Sequence, residues 1–364
     1  MASQAGAPVE ASLKGVVLNK ALIGHLDDGT PIHEAKLHSP GGAEARVMEW
    51  GAVLRDLVVP LPGGGRQRVV LGFPNFADYP AHSPHMGAIA GRFANRIGHG
   101  RFMLDGVSHR TPLNQGGKHS LHGGGQGFGK RPWTMIQHDE ASVTLALVSA
   151  DGDAGYPGTL RVWCRYALVD GATLRLELSA TTDAPTIVNL AHHSYFRLDD
   201  GPDILDHELE VRANLTTPVD ADLIPDGSLA DVAGTPFDFR KARPIRFASQ
   251  AGGRFWYDHN YVLRRDRREP AAGGLELAHA ATLRSRRSGL AMEIWTTEPA
   301  LQVYDGAKLA TPVPGLDGVA YGANAGIALE PQHVPDSPNL PHFPSTVLRP
   351  GEVYRQLSEF RFGV

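Results

Sequence analysis

The sequence predicts an all-β fold, a large antiparallel β-sandwich or barrel with few short helices. Three observations carry this. Apolar residues recur at period two, the spacing of a half-buried strand, and rarely at the helical period. Asp-Gly pairs separate alternating runs at Asp105-Gly106 and Asp170-Gly171. Gly and Pro number 42 and 27 of 364 residues. Together they make about 19% of the chain against roughly 12% in average usage, an excess that reads as turn chemistry.

In chain order, residues 1–14 (MASQAGAPVEASLK) lack the basic start and long apolar stretch of a secretion signal and read as a flexible tail. Residues 15–364 then form one domain, since no composition shift marks a boundary. Residues 46–60 are a strand-like run. Residues 100–104 and 107–111 flank Asp105-Gly106 and predict a hairpin, because such a turn needs positive φ at both central positions. Residues 142–150 follow as another strand.

The clearest alternation lies in residues 160–182. Leu160, Val162, Cys164, Tyr166 and Leu168 alternate with Arg161, Trp163, Arg165 and Ala167. Beyond Asp170-Gly171, Leu174, Leu176 and Leu178 alternate with Arg175, Glu177 and Ser179. Cys164 falls on the apolar face, where its role is inert packing. Runs at 205–217, 290–304, 326–330 and 352–362 complete the strand set. Residues 264–274 (RRDRREPAAGG) and 310–325 read as surface loops. No amphipathic helix longer than about 12 residues is found.

Composition excludes several classes. One Cys allows no intrachain disulfide. Lys plus Arg is 35 and Asp plus Glu is 39, a formal net charge of -4, so there is no basic footprint for nucleic acid. No segment approaches the apolar length of a membrane helix. The expectation is a cytoplasmic monomer or homodimer with no nucleic-acid or membrane partner.

Polar residues gather in a few Gly- or Pro-flanked segments: Arg92, Asn95 and Arg96; Asn114, His119 and His122; Asn189, His192 and His193; then Asp258, His259, Asn260, Gln302, Glu330, Gln332 and His333. These groups are expensive to bury unless hydrogen-bonded. Many neutral or forked hydrogen-bonding groups with nearby aromatics suit a small polyhydroxylated ligand. The acid–base candidates are a His and a Glu, and residue types alone do not choose among them. His119, His122, His192 and His193 also raise a metal cluster as an alternative. Residues 123–125 (GGG) resemble a phosphate loop only in glycine content, with no Gly-Lys-Ser/Thr ending.

Seven segments in order resemble the aldose 1-epimerase (galactose mutarotase) family: residues 87–97 (GAIAGRFANRI), 114–128 (NQGGKHSLHGGGQGF), 151–158 (DGDAGYPG), 189–198 (NLAHHSYFRL), 258–260 (DHN), 296–304 (TTEPALQVY) and 329–341 (LEPQHVPDSPNLP). The resemblance implies a β supersandwich and interconversion of the α and β anomers of a small-molecule aldose, with no cofactor and no metal. It implies His193 as general acid and Glu330 as general base. Asn95, Arg96, His122, Tyr195, Asp258 and Gln302 match sugar-contacting positions. His192 reads as a neighbour of the substrate rather than a catalytic group. Two positions depart from the family pattern and bear on substrate preference: Val334 where many relatives carry an aromatic, and Glu298 where some carry Gln.

Ring opening of a hemiacetal needs a proton removed from the C1 hydroxyl and one delivered to the ring oxygen. A carboxylate suits the first task and an imidazolium the second, and modest stabilisation of the cation is expected to keep His193 charged near neutrality. Two alternatives stay open: a sugar-binding module on the same fold without catalysis, and an epimerase of a phosphorylated hexose using Arg92 and Arg96.

Overall fold

Antiparallel pairing organises nearly all of the chain. The computed structural model describes residues 19–61, 63–247 and 255–363; the tail expected over residues 1–14 lies outside them. A ten-stranded sheet runs in the order Thr134–His138, Ser142–Ser149, Leu160–Val169, Thr173–Thr182, Tyr354–Gly363, Ala291–Thr296, Glu276–Arg284, Glu208–Val211 and Arg243–Pro244, with Arg268–Pro270 also on Glu276–Arg284. A six-stranded sheet runs Tyr195–Phe196, Ile327–Gln332, Ala300–Tyr304, Asp258–Leu263, Ala213–Thr216 and Ala230–Asp231. A five-stranded sheet joins Lys20–His25, Pro31–His38, Glu44–Met48, Leu54–Pro60 and Arg66–Arg68 in chain order.

The period-two pattern explains the packing. Leu160 to Val169 pairs in unbroken register with Thr182 to Thr173. Leu160, Val162, Cys164 and Tyr166 are fully buried, while Arg161 is exposed and Trp163 and Arg165 are half-buried. Cys164 faces Leu145 and Leu178, and burial pushes its thiol far above the usual range. One apolar core joins the three sheets, from Leu37 and Val47 through Leu176 and Leu178 to Leu301 and Leu329. Both Asp-Gly turns take positive φ at both residues, 49° and 81° at Asp105-Gly106 and 45° and 81° at Asp170-Gly171.

Three long runs break where the alternation gives no warning. Residues 46–60 fold back at Gly51-Ala52 into two strands that pair with each other. Residues 205–217 split at Arg212, with Glu208–Val211 in the ten-stranded sheet and Ala213–Thr216 in the six-stranded one. Residues 290–304 split the same way around Thr297 to Pro299. A chain that crosses between facing sheets keeps its apolar period while changing partners. The charged loop at 264–274 contains the short strand Arg268–Pro270, which hairpins onto Glu276–Arg284. Residues 310–325 are a loop closed by one bridge, Pro314 to Ala320. Among the described residues the α-helix Asp78–His82 is a single turn, and no helix is long and apolar enough to cross a membrane.

Arg92 ties the 87–97 segment to the 151–158 segment. Its guanidinium is buried, and it donates to the carbonyls of Pro157 and Gly158 at 2.9 Å, of Ser149 at 3.2 Å and of Ala150 at 3.3 Å. It faces these carbonyls rather than a ligand, so the basic pocket considered for Arg92 is not formed. Replacing it strands several buried acceptors, each worth about 1–3 kcal/mol. Arg92→Met is expected to lower unfolding free energy by about 3 kcal/mol. Urea titration would show this as a lower midpoint at unchanged slope; an unshifted midpoint would show that the carbonyls find other donors.

Candidate active site

The six-stranded sheet supplies one wall. Asn260, Gln302 and Glu330 stand abreast on three neighbouring strands. Asp258 lies two residues from Asn260 and so shares its face. The strand Ile327–Gln332 is buried on both faces: Ile327 and Leu329 enter the core, and Glu330 points the other way.

His193 faces Glu330 from a different segment. Its backbone N–H donates to Ala88 at 2.9 Å, and its carbonyl accepts from Gly87 at 3.0 Å. Gly87 has φ +71°, and a Cβ there would sit 2.2 Å from the Leu54 carbonyl oxygen, so no larger residue fits. His193 Nε2 lies 3.6 Å from Glu330 Oε1.

The third wall is a pair of turns. Asn95 and His122 both hold left-handed backbone, φ 64° and 51°. They bind each other: the His122 N–H donates to the Asn95 carbonyl at 3.0 Å, and the Asn95 N–H donates to His122 Nδ1 at 3.1 Å. Accepting at Nδ1 puts the proton of a neutral His122 on Nε2. A Cβ on Gly123 would lie 2.0 Å from the Gly91 carbonyl oxygen, so Gly123 serves close backbone approach.

A chain of hydrogen bonds joins the walls. Arg96 donates to Asn95 Oδ1 at 3.3 Å, to Asp258 Oδ2 at 3.3 Å and, through Nε, to Gln115 Oε1 at 3.0 Å. Gln302 donates to Asp258 Oδ1 at 2.6 Å. Tyr195 donates its hydroxyl to the Pro84 carbonyl at 3.2 Å and lays its ring 5.1 Å from that of His193. The cavity between the walls is about 320 Å³, small for a ligand pocket. Asn95, Arg96, His122, His193, Tyr195, Asp258 and Glu330 line it, and Gln302 stands behind Asp258. His193 Nδ1, Glu330 Oε2 and Gln302 Oε1 are buried without a hydrogen-bond partner among the described residues.

A family model described as aldose 1-epimerase matches residues 34–361. The chain belongs to the aldose 1-epimerase family. A galactose mutarotase of Rattus norvegicus is 40% identical over 320 residues, 87% of this chain and 90% of that protein. An aldose 1-epimerase of Escherichia coli K12 is 37% identical over 343 residues, 92% and 96% of the two chains. The solved structure of an aldose epimerase homologue from C. elegans superposes with TM-score 0.82 at 30% identity, over 91% of this chain and 98% of that one. The family consists of isomerases, and this chain is one of them.

The electrostatics of this candidate site differ from expectation. Burial pushes His193 down to about 4, although the charge of Asp258 pulls it upward. Burial, helped by Asp258 and opposed by Arg96, pushes Glu330 well above the usual carboxylate range. Both shifts favour the uncharged forms of the two groups over the imidazolium expected from sequence. Burial outweighs the one nearby negative charge.

Other expectations also change. His192 does not border the cavity. It is buried in the core, its ring packs edgewise on Tyr166 and Phe360, and its Nε2 bonds Ser194 Oγ at 2.8 Å. Neighbours in an extended strand point to opposite faces, so His192 and His193 diverge. Val334 packs with Ala300 and Phe343, and Glu298 is buried 3.8 Å from His333; neither lines the cavity. His119 accepts from the His99 N–H at 3.0 Å and lies 3.5 Å from Asp222. The four histidines do not converge, and among the described residues no group of three or more His, Cys, Asp or Glu is placed to hold a metal ion.

Sequence reasoning missed several wall residues, among them His85, Gln115, Tyr304 and Lys308. Gln115 lay inside a quoted motif, yet only the fold shows it accepting from Arg96. Gln115→Met keeps the side-chain length and removes that bond. Loss of one ordinary hydrogen bond, about 1 kcal/mol, is expected to raise KM roughly fivefold with a smaller change in kcat. Equal KM values in wild type and variant would show that Arg96 is held without it.

Proposed function

We propose that the protein interconverts the α and β anomers of a free aldose of the galactose or glucose type, with Glu330 as general base and His193 as general acid. The observation that carries this reading is the buried, unsatisfied pair at 3.6 Å facing a polar cavity. The hydroxyl oxygen O1 and the ring oxygen O5 hang on one carbon, so a base for one and an acid for the other must stand this close.

Glu330 takes the proton of O1. The C1–O5 bond breaks, its electron pair goes to O5, and O5 takes the proton of His193 Nε2. An open-chain aldehyde results, with Glu330 protonated and His193 neutral. Rotation about C1–C2 presents the other carbonyl face, and the same two groups reverse their transfers to close the ring. Arg96, Asp258, Asn95 and His122 hold the remaining hydroxyls, with Gln302 orienting Asp258 and Tyr195 backing His193. No redox step occurs, and the proton balance closes on the two side chains.

The shifts of the two groups are consistent with this scheme. The pair carries one proton whether it sits on Glu330 or on His193. A bound sugar donates O1–H to the carboxylate and accepts at O5 from the imidazole, and both contacts favour the ion-pair form. The cavity also suits an uncharged ligand. Its guanidinium, Arg96, is already matched by Asp258, and the other cation on its wall, Lys308, lies over the Trp256 ring. Retention of both proton-transfer groups favours an enzyme over a binding module.

Polarimetry on freshly dissolved α-galactose and α-glucose tests the assignment. His193→Ala and Glu330→Gln are each expected to lower kcat by about 100-fold or more, the usual worth of a general acid or base. Wild-type rates in either folded variant would falsify it.

The pH profile supplies a second test. Below the His193 value, both groups are protonated and no base remains. Above the raised Glu330 value, both are deprotonated and no acid remains. The profile of kcat/KM reports the free enzyme, and its limits belong to the pair. Its acid limb is expected near the depressed His193 value of about 4. A limb near the unperturbed 6.5 would mean that the pair in the free enzyme holds an imidazolium.

A further inference from the structure

A second cavity of about 210 Å³ adjoins the catalytic one. Its wall includes Trp50, Tyr79, His82 and Lys130, and it shares Pro84 and His85 with the catalytic cavity. Pro84 is already engaged, since its carbonyl accepts from Tyr195. His85 is the side chain that partitions the two spaces.

His85 is placed by local backbone. Its φ is +66°, a conformation uncommon outside glycine. Two turn contacts hold it: the Met86 N–H donates to Ser83 Oγ at 2.9 Å, and the Ala88 N–H donates to the His85 carbonyl at 3.0 Å. The ring then lies 4.7 Å from that of His122 and 5.9 Å from that of His193. Unlike Asn95, Arg96, Asp258 and Tyr195, its side chain makes no hydrogen bond to a described residue, and its Nδ1 is buried. Left-handed, uncommitted polar residues of this kind concentrate where ligands bind.

We propose that His85 is a specificity-determining residue that receives the substituent on C5 of the sugar and limits how far it extends into the second cavity. This rests on the acid–base reading above. With O5 at His193 and O1 at Glu330, carbons C1, C2 and C3 run toward the Gln302–Asp258–Arg96 side, because Glu330 pairs across the strand with Gln302. C5 lies on the other flank of O5. The rings packed on His193 are those of Tyr195, His122 and His85; Tyr195 is already bonded to Pro84 and His122 to Asn95, which leaves His85 uncommitted. His85 therefore meets the hydroxymethyl group that distinguishes a hexose from the corresponding pentose.

The test compares matched sugars that differ only by that group: D-galactose with L-arabinose, and D-glucose with D-xylose. His85→Gly removes the side chain in a backbone glycine accepts, and His85→Asn keeps a polar group that also tolerates it. The hexose-to-pentose ratio of kcat/KM is expected to fall about fivefold in His85→Gly, the worth of one hydrogen bond, and less in His85→Asn. His85→Gly also joins the two cavities, so 6-O-methyl-glucose should gain several-fold relative to glucose. Ratios equal to wild type in both sugar pairs, with no gain for the 6-O-methyl sugar, would overturn the proposal. A wild-type protein inert toward all four aldoses would instead defeat the mutarotase reading. Calorimetric binding of the same pairs would then decide His85 alone, an unchanged hexose-to-pentose affinity ratio counting against it.

Discussion

The site depends on the register of three buried strands. Asp258–Leu263, Ala300–Tyr304 and Ile327–Gln332 pair antiparallel, and Asn260, Gln302 and Glu330 fall in one row. Leu301, Val303, Ile327 and Leu329 face the other way and are fully buried in the main core. A slip of one residue would exchange the faces, sending a carboxyl and an amide into the core and leucines into the cavity. Each buried leucine contributes roughly 1.5–3 kcal/mol, and each buried polar group without a partner costs a comparable amount. The apolar face thus fixes where the polar face points, and the carboxyl and the amide inherit their positions from their leucine neighbours.

The opposite wall is built on another principle. Asn95, His122 and His85 all occupy left-handed backbone, which costs of order 1 kcal/mol for each such residue. For Asn95 and His122 the cost is offset by their reciprocal bonds and by the short pairing of Arg96 with Leu121. Arg92 anchors the same segment from behind through four carbonyls. Rigid turns of this sort aim short side chains inward where a strand would alternate them in and out. Sheet and turn walls together surround a small ligand from three sides.

What the sequence disclosed follows the range of the interaction concerned. The Asp-Gly hairpins were legible because their signal is local: two positive-φ residues between alternating strands. The breaks at Arg212 and at Thr297 to Pro299 were not, because an apolar period continues unchanged when a strand leaves one sheet for another. The motif segments brought seven of the eight named residues to the cavity wall and Gln302 just behind it. They did not separate the faces of His192 and His193, which requires knowing the strand. His85 sits on a local turn whose closeness to His122 and His193 only the fold reveals, and Gln115 reaches Arg96 from another segment, so no pattern around either one announces its role. The downward shift of His193 was not legible for a related reason. Its direction is set by enclosure, which a motif does not record.

That enclosure also bears on the ligand. Arg96 and Asp258 cancel each other, and the His193–Glu330 pair is neutral overall whether the proton sits on the acid or on the imidazole. Proton transfer within the pair changes a dipole but no net charge, so the reaction adds no net charge to a site where burial makes charge expensive. An uncharged sugar preserves this balance through binding, opening and closure. A phosphoryl group in direct contact with the pair would add up to two negative charges beside Asp258 and push Glu330 further toward its protonated form, away from the base the reaction needs. On the proposed mechanism, the same burial that lifts Glu330 therefore favours a neutral aldose. The substituent on C5, not a charge, is then the feature by which this cavity has room to discriminate.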